Sequence, residues 1–156
     1  TLTLLALLSA ALLSACGGKD ETATPDVDLT DFYEDVKEEY GWSDGYMTDI
    51  EGELLESYYP GLGDISLKQL VAKAPMMSAV VNEMVFLQAE TEEDAAAAAA
   101  ILQGRIDLQA QGGAWYPESM ETWSDAQVVQ HGTYVAMIAT AEHQDEITEQ
   151  FNAQFA

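Results

Sequence analysis

The stretch that decides the fold is MSAVVNEMVFLQAETEEDAAAAAAILQGRIDLQAQGG, residues 77–113. In its first part, residues 77–90, the large apolar side chains of Val, Met, Phe and Leu dominate, and residues 84–87 are apolar at both alternating positions. A short run that is apolar on both faces is typical of a strand buried on both sides of a sheet. The sequence therefore predicts a central strand here.

The second part of the same stretch predicts a helix. Thr91 is a suitable N-cap, and three acidic residues follow it in the first turn, where the helix dipole favours negative charge. A run of alanines comes next, and alanine has the highest helix propensity of any residue type. Gly112 and Gly113 are predicted to end the helix. Because alanine is small, we expect this helix to lie close to the sheet.

Further helices are predicted on either side of this strand and helix. Residues 29–40 place apolar side chains at helical spacing after Thr30, a suitable N-cap. Residues 66–75 combine a capping-box spacing with an apolar side and end at a proline, which also predicts a helix. The segment 141–156 spaces its large apolar residues four apart, as a last amphipathic helix would.

A hairpin is predicted over residues 126–140. Val128 and Val129 lie on one arm, residues 134–139 form the other, and His131-Gly132 is predicted to fill a two-residue turn. The preceding segment, AWYPESMETWSD, predicts a loop. The segment ELLESYYPGLG is short and its pattern is ambiguous between helix and strand.

The order of these elements predicts an α+β fold. We expect a small, mainly antiparallel three-stranded sheet with helices packed on one face, in one globular domain over residues 29–156. Hydrophobic residues make up 48% of the 156-residue chain, which is enough to build a real core.

The charge balance excludes one class of partner. The chain has 28 acidic and only 5 basic side chains, a formal net charge of −23. Nucleic-acid affinity comes largely from Lys and Arg side chains that neutralise phosphates, so we expect no nucleic-acid binding. The acidic surface is compatible with a cationic partner, although acidity more often serves solubility.

The N-terminal stretch LLALLSAALLSACGG, residues 4–18, carries the only cysteine of the chain. Its apolar run is too short for a membrane-spanning helix and suits the core of a signal peptide. Since no basic region precedes the run, we expect further residues before Thr1. The Leu-Ser-Ala-Cys ending resembles the lipobox of bacterial lipoproteins, which implies that Cys16 is lipidated. The alternative is a structural cysteine beside a short core helix.

This resemblance predicts the organisation and location of the chain. Residues 1–15 would be the lipoprotein signal peptide, and residues 16–28 the lipidated cysteine with a flexible acidic tether, because glycine, proline, threonine and acids cannot build a core. A lipid on Cys16 would hold the protein at the extracytoplasmic face of the cell membrane.

Aromatic residues are the best candidates for binding. Trp115, Tyr116 and Trp123 lie in one predicted loop, and Tyr58 and Tyr59 in the ambiguous segment. Exposed aromatic side chains stack on sugars or anchor partner proteins, so the partner in a binding role would be an unknown surface protein or a small ligand. The sequence favours the other interpretation, in which these rings cap the open edge of the core.

Catalytic and metal motifs are missing from the sequence. His131 lies in the predicted turn and His143 in the first turn of the last helix, and neither belongs to a nucleophile or zinc motif. Asp26, Asp28 and Asp31 lack the glycine and the distal acid of a calcium loop. We therefore expect no enzyme activity, no metal and no cofactor. The alternative is a cell-surface hydrolase that uses a pair of carboxylates.

The chain resembles a family of small Gram-positive bacterial lipoproteins that carry the domain of unknown function 4358. The matching features are the lipobox, the helix end EEYGW, LLESYY, LVAKAPMMSAVVNEMVFLQAE, the alanine-rich helix and VVQHGTYVAMIAT, over roughly residues 30–155. These motifs concern the fold rather than chemistry, so the resemblance implies no catalytic residues.

Overall fold

The computed structural model describes residues 24–77 and 79–156. The predicted signal peptide 1–15, Cys16 and the first part of the predicted tether lie outside the described residues. Within the described part of the chain, no helix is both long and apolar enough to cross a bilayer.

Five α-helices and five strands make up the described residues. The helices are α1 (Leu29–Glu39), α2 (Gly52–Tyr58), α3 (Glu92–Leu108), α4 (Pro117–Asp125) and α5 (Gln144–Ala153). The strands are β1 (Met47–Asp49), β2 (Leu67–Pro75), β3 (Asn82–Ala89), β4 (Gln127–His131) and β5 (Tyr134–Thr140). A 3₁₀ turn, Leu62–Asp64, follows α2, and a π-helical turn, Gln109–Gly113, extends α3.

The strands form one sheet in the order β1-β2-β3-β5-β4, and every neighbouring pair is antiparallel. The predicted α+β class and the antiparallel pairing are confirmed, and β3 is the central strand. The predicted number of three strands is wrong because β1 and β2 extend the sheet beyond β3.

Strand β2 occupies the segment that predicted a helix. It pairs with β3 over most of its length and with β1 along its other edge, with Leu70 opposite Leu87 and Lys73 opposite Asp49. A helix of about ten residues is only marginally stable by itself in water, so tertiary pairing decides such a segment. Two ladders of backbone hydrogen bonds here override the local helical pattern.

The two halves of the opening stretch form the predicted strand and helix. Alternate side chains of β3 enter different cores, and all of its residues except Gln88 are buried. The hydroxyl of Thr91 accepts a hydrogen bond from the Asp94 backbone N–H at 3.1 Å and so caps α3. Ala95 and Ala98 are fully buried against the sheet, which confirms the predicted close helix–sheet contact.

Helices cover both faces of the sheet, and the predicted arrangement on one face is wrong. Val85 and Leu87 of β3 face a core that includes the buried side of α3, whereas Met84 and Phe86 face a second core with α1 and α5. Because β3 and β5 are apolar at both parities, each face needs its own covering layer to exclude water. The architecture is therefore helix–sheet–helix.

Residues just before the predicted domain boundary at 29 also contact the folded part. The backbone N–H of Val27 donates to the Tyr134 hydroxyl at 3.1 Å, and Val27 is buried. Asp28, not the predicted Thr30, is the N-cap of α1, because its carboxylate accepts hydrogen bonds from the Thr30 and Asp31 N–H groups.

The hairpin forms as predicted except at its turn. The two turn residues are Gly132 and Thr133 rather than His131-Gly132, because His131 is the last residue of β4 and pairs with Tyr134. Gly132 has φ +57°, a left-handed conformation that glycine adopts without steric strain.

Candidate binding cleft

A cleft of about 610 Å³ opens at one end of the sheet, on the face covered by α3. One side is formed by the end of β2 and the connection to β3, and the other by the junction of α3 and α4. The lining side chains include aromatic, aliphatic and a few polar groups: Tyr58, Met77, Val80, Val81, Glu83, Arg105, Gln109, Trp115, Tyr116, Ser119 and Trp123.

A buried ion pair lies at the base of this cleft. Arg105 donates to Glu83 through Nε to Oε1 at 2.9 Å and through Nη2 to Oε2 at 2.8 Å. Their side chains are only 11% and 7% exposed. Two parallel hydrogen bonds between a guanidinium and a carboxylate give both strength and a fixed geometry. Glu83 on β3 and Arg105 on α3 thus fasten the helix to the sheet.

Tyr59 extends this ion pair into the core. Its hydroxyl donates to Oε1 of Glu83 at 2.6 Å, and the residue is fully buried. Burial raises the pKa of Tyr59 well above its ordinary value, and the charge and hydrogen bond of Glu83 add to this. Burial by itself would lower the pKa of Arg105, but the hydrogen bonds and charge of Glu83 outweigh that effect and raise it. Arg105 therefore stays charged at neutral pH, and both oxygens of Glu83 accept hydrogen bonds.

Aromatic rings enclose the guanidinium of Arg105. Its Cζ lies 4.2 Å from the centroid of the Tyr58 ring and 5.3 Å from that of Trp123. A guanidinium over an aromatic face is attracted by the ring quadrupole. The hydrogen bonds to described residues use Nε and Nη2, and not Nη1.

The wall formed by the α3–α4 junction has an unusual backbone. Gly112 has φ +126°, and Trp115 has φ +65°, which is a rare conformation for a bulky residue. A Cβ added to Gly113 would lie 2.8 Å from the Leu108 carbonyl oxygen, so this turn admits only glycine there without movement. Strained backbone at a cleft is a pointer to function.

The mouth of the cleft is apolar and exposed. Trp115 is 87% exposed, Tyr116 60% and Met77 67%, and Val80 is also exposed. Contiguous exposed apolar side chains are uncommon on monomeric proteins and mark interaction sites. We call Met77, Val80, Trp115 and Tyr116 the apolar rim.

The five aromatic candidates divide between surface and core. Trp115 and Tyr116 lie on the apolar rim, and Tyr58 is half-buried in the cleft wall. Trp123 is only 4% exposed and packs in the core, although one side of it lines the cleft, and Tyr59 is entirely in the core. The structure thus brings four of the five to one cleft.

Helix α4 explains why the two tryptophans differ. The predicted loop is wrong over residues 117–125, because Pro117 starts a helix there, at a position where its missing N–H and fixed φ suit helix geometry. One face of α4 then directs Trp123 into the core, while Trp115 precedes the helix and stays outside.

Comparison with protein families adds one finding. The family model of domain of unknown function DUF4358 matches residues 40–140, about two thirds of the chain. The chain belongs to the DUF4358 family. A search of curated proteins found no match, and neither did a search of solved structures.

The DUF4358 match contains the whole cleft. Every described residue that lines it lies between Tyr58 and Trp123, inside the matched span, whereas α1 and α5 lie outside it. The cleft is thus part of the DUF4358 domain proper, and the second helix layer is built from flanking segments.

Arg105 and Glu83, two central residues of the cleft in this DUF4358 domain, were not predicted from the sequence. Arg105 is the only arginine of the chain and lies within the alanine-rich helix, next to the apolar residue Ile106. Glu83 interrupts a nearly continuous apolar strand. A charged residue inside an apolar run is rarely buried without a partner. The positions of Glu83 and Arg105 in such surroundings are therefore the feature of the sequence from which an ion pair between them could have been predicted.

The other candidates lie away from the cleft. His131 Nε2 lies 2.8 Å from Asn152 Oδ1 and the ring stacks on Phe155, and His143 is the N-cap residue of α5 and stacks on Tyr40. Asp28 uses its carboxylate as a helix cap. In residues 24–77 and 79–156, no group of three or more His, Cys, Asp or Glu side chains is arranged to hold a metal ion.

Proposed function

We propose that this DUF4358 protein is a binding module whose ligand site is the cleft above Arg105 and Glu83, held at the extracytoplasmic face of the membrane by a lipid on Cys16. The observation that supports binding most directly is the apolar rim. Its exposed aromatic and aliphatic side chains surround a concave site rather than contributing to either core.

The chemistry of the cleft favours a neutral ligand with an aromatic or aliphatic group. A volume of about 610 Å³ is within the usual range for small-molecule sites, and it also suits a few side chains of a partner protein. The only charged side chains among its described lining residues, Arg105 and Glu83, already neutralise each other. Arg105 Nη1 remains as a donor for a carbonyl or hydroxyl oxygen of the ligand.

The hydrolase alternative has less support. A mechanism with two carboxylates needs a pair of acids facing one site. Among the described residues that line the cleft, Glu83 is the single acid, and both of its oxygens accept hydrogen bonds from Arg105 or Tyr59. A carboxylate held in this way is a structural group rather than a free acid or base.

Membrane anchoring is proposed from the sequence. The apolar run up to Ala15, the small residues before Cys16 and the polar segment after it are the basis. Two or more acyl chains hold a protein stably on a bilayer. Replacing Cys16 with alanine should leave the protein either unprocessed or absent from the membrane fraction, and mass spectrometry of the native protein should show acyl chains on Cys16. An unmodified cysteine in a chain that keeps residues 1–15 would contradict the proposal.

The binding role is tested with a neutral aromatic probe, N-acetyl-L-phenylalaninamide. The full-length protein is solubilised in dodecyl maltoside, and contact is measured by saturation-transfer NMR against empty micelles. We expect saturable transfer that falls to the level of empty micelles in Trp115→Ala and Tyr116→Ala.

Leu108→Ala is the matched control. Leu108 is 62% exposed on α3 but does not line the cleft, so its loss should leave the probe signal unchanged. Equal signals for the wild type, Trp115→Ala and empty micelles would overturn the proposed role of the cleft.

A further inference from the structure

The side chains that line the cleft offer more hydrogen-bond donors than acceptors. Those of Arg105, Trp115 and Trp123 only donate. Glu83 is the single described lining residue whose side chain, when ionised, only accepts, and both of its oxygens are already occupied by Arg105 or Tyr59. The remaining polar side chains of the lining are amides and hydroxyls, which do both. The cleft therefore presents a surplus of donors to a ligand.

Two of these donors are close together and unused. Arg105 Nη1 and Trp123 Nε1 make no hydrogen bond with any residue that the structure describes, and the Arg105 Cζ lies 5.3 Å from the centroid of the Trp123 ring. Within residues 24–77 and 79–156, Asn82 Oδ1 is the only side-chain polar atom that is both closed to solvent and without a partner. Both donor nitrogens are therefore open to solvent, and the cleft is the opening that both residues line.

Aromatic faces flank these donors. The Tyr58 ring lies against the Arg105 guanidinium in the wall of the cleft, and Trp115 and Tyr116 are exposed at its mouth. Grooves lined by aromatic rings are the surfaces on which proline-rich segments dock, because the rings of proline and of the aromatic side chains pack face to face. The cleft thus suits a neutral ligand that combines an aliphatic ring with a carbonyl oxygen.

An ordinary peptide would bring backbone N–H groups for which the lining side chains have few acceptors. A buried N–H without an acceptor costs free energy, and each residue except proline carries one. Proline has a backbone carbonyl and no N–H. Proline segments also adopt the polyproline II conformation, which makes no internal hydrogen bonds and leaves its carbonyl oxygens free to accept. A proline-containing segment therefore matches both the surplus of donors and the aromatic faces.

We propose that the cleft binds a proline-containing segment of a partner protein, and that a carbonyl oxygen of this segment accepts hydrogen bonds from Arg105 Nη1 and Trp123 Nε1. The proline rings pack on Tyr58, Trp115 and Tyr116. The segment is neutral or basic, because the formal net charge of −23 repels an acidic one. This inference rests on the proposed function, since it names the class of ligand that the same cleft takes.

The experiment compares two peptides of similar size that differ in their backbone N–H groups, acetyl-Ala-Pro-Pro-Ala-amide and acetyl-Ala-Val-Val-Ala-amide. Each is titrated at pH 7 into the full-length protein in dodecyl maltoside, and the indole N–H resonances are followed by ¹⁵N–¹H NMR. We expect the proline peptide to shift the Trp115 and Trp123 resonances saturably. The valine peptide should bind at least roughly tenfold more weakly, about 1.4 kcal/mol. The indole of Trp42, which does not line the cleft, should not shift with either peptide.

Three variants assign the contacts. Trp123→Phe keeps a ring in the core but removes the indole N–H, and it should weaken binding of the proline peptide several-fold, as measured on the Trp115 resonance. Trp115→Leu removes an exposed ring face and should also weaken binding several-fold, as measured on the Trp123 resonance. Leu108→Ala, outside the cleft, should have no effect. If Trp123→Phe fails to fold, Trp115→Leu and the comparison of the two peptides still decide the matter.

The outcomes separate this inference from the proposed function. Equal affinities for the two peptides would overturn the inference, as would shifts with the trisaccharide of N-acetylglucosamine and none with the proline peptide. Binding of N-acetyl-L-phenylalaninamide without binding of the proline peptide would overturn it and leave the proposed function in place. If neither peptide nor N-acetyl-L-phenylalaninamide binds, both proposals fail.

Discussion

Arg105 and Glu83 join α3 to the central strand by two hydrogen bonds of 2.9 and 2.8 Å, and the same pair forms the base of the cleft. Stability and the candidate site are therefore built from one interaction. The consequence is that changes to either residue should alter folding as well as binding, whereas truncation of a side chain of the apolar rim should weaken binding without loss of stability.

Removal of one partner of this pair should be strongly destabilising. Arg105→Met leaves the buried carboxylate of Glu83 without its counter-charge, which typically costs about 3–5 kcal/mol of unfolding free energy. Lys68→Met is the control, because its ion pair with Glu90 is exposed and should contribute about 0–1 kcal/mol. Urea denaturation followed by circular dichroism measures both.

The double variant Glu83→Leu/Arg105→Met should be more stable than Arg105→Met alone, because it leaves no unpaired charge. A loss in Arg105→Met no larger than that in Lys68→Met would contradict the structural role of the pair.

The two tryptophans near α4 should behave in opposite ways. Trp123→Ala removes a buried ring and should reduce the unfolding free energy by about 3–5 kcal/mol. Trp115→Gly removes an exposed ring and relieves a left-handed conformation, so the protein should be as stable as the wild type or more stable by about 1 kcal/mol. Urea denaturation of the two variants checks this, and equal losses would mean that Trp115 belongs to the core.

Two glycines near the end of α3 form a matched pair. Gly104→Ala adds a methyl group in open space within a helix and should stabilise the protein by about 0.5–1 kcal/mol. Gly113→Ala places the same methyl group 2.8 Å from the Leu108 carbonyl oxygen and should destabilise by about 1–3 kcal/mol. Thermal unfolding of both variants measures the difference, and a stabilising Gly113→Ala would show that the turn relaxes freely.

Stability should fall at alkaline pH in a way that depends on Tyr33. Burial, helped by the charge of Glu34, raises the pKa of Tyr33 to about 12, whereas an unfolded tyrosine titrates at about 10. The unfolded state therefore loses its proton first, so this contribution to stability is complete below pH 10 and is lost as the pH rises towards 12.

Tyr33→Phe should accordingly lose less stability than the wild type between pH 10 and 12. Tyr116→Phe is the control, because it removes the same hydroxyl from a side chain that is exposed. Melting temperatures measured from pH 8 to 12 test this, and parallel curves for Tyr33→Phe and the wild type would contradict it.

Several elements could be predicted because their local pattern and their tertiary environment agree. The apolar run of β3 can only be buried on both faces, and the Thr91 cap, the acidic first turn and the alanines of α3 all favour one conformation. The hairpin of β4 and β5 and the last helix follow from alternation and from four-residue spacing in the same way.

The cleft could be predicted only in part. The aromatic residues Trp115, Tyr116 and Tyr58 pointed to it, but nothing local in the sequence indicated which rings would be exposed. Arg105 and Glu83 are 22 residues apart and meet only because α3 packs across β3.

The sequence by itself determined the central strand, the alanine-rich helix, the hairpin and an acidic α+β domain, because these depend on periodicity, caps and composition within one segment. Only the tertiary structure decided that residues 67–75 form a strand, that helices cover both faces, and that a buried ion pair and an apolar rim share one cleft. The physical reason is that strand pairing and burial are contacts between distant segments. Their free energy outweighs the weak conformational preference of any short segment.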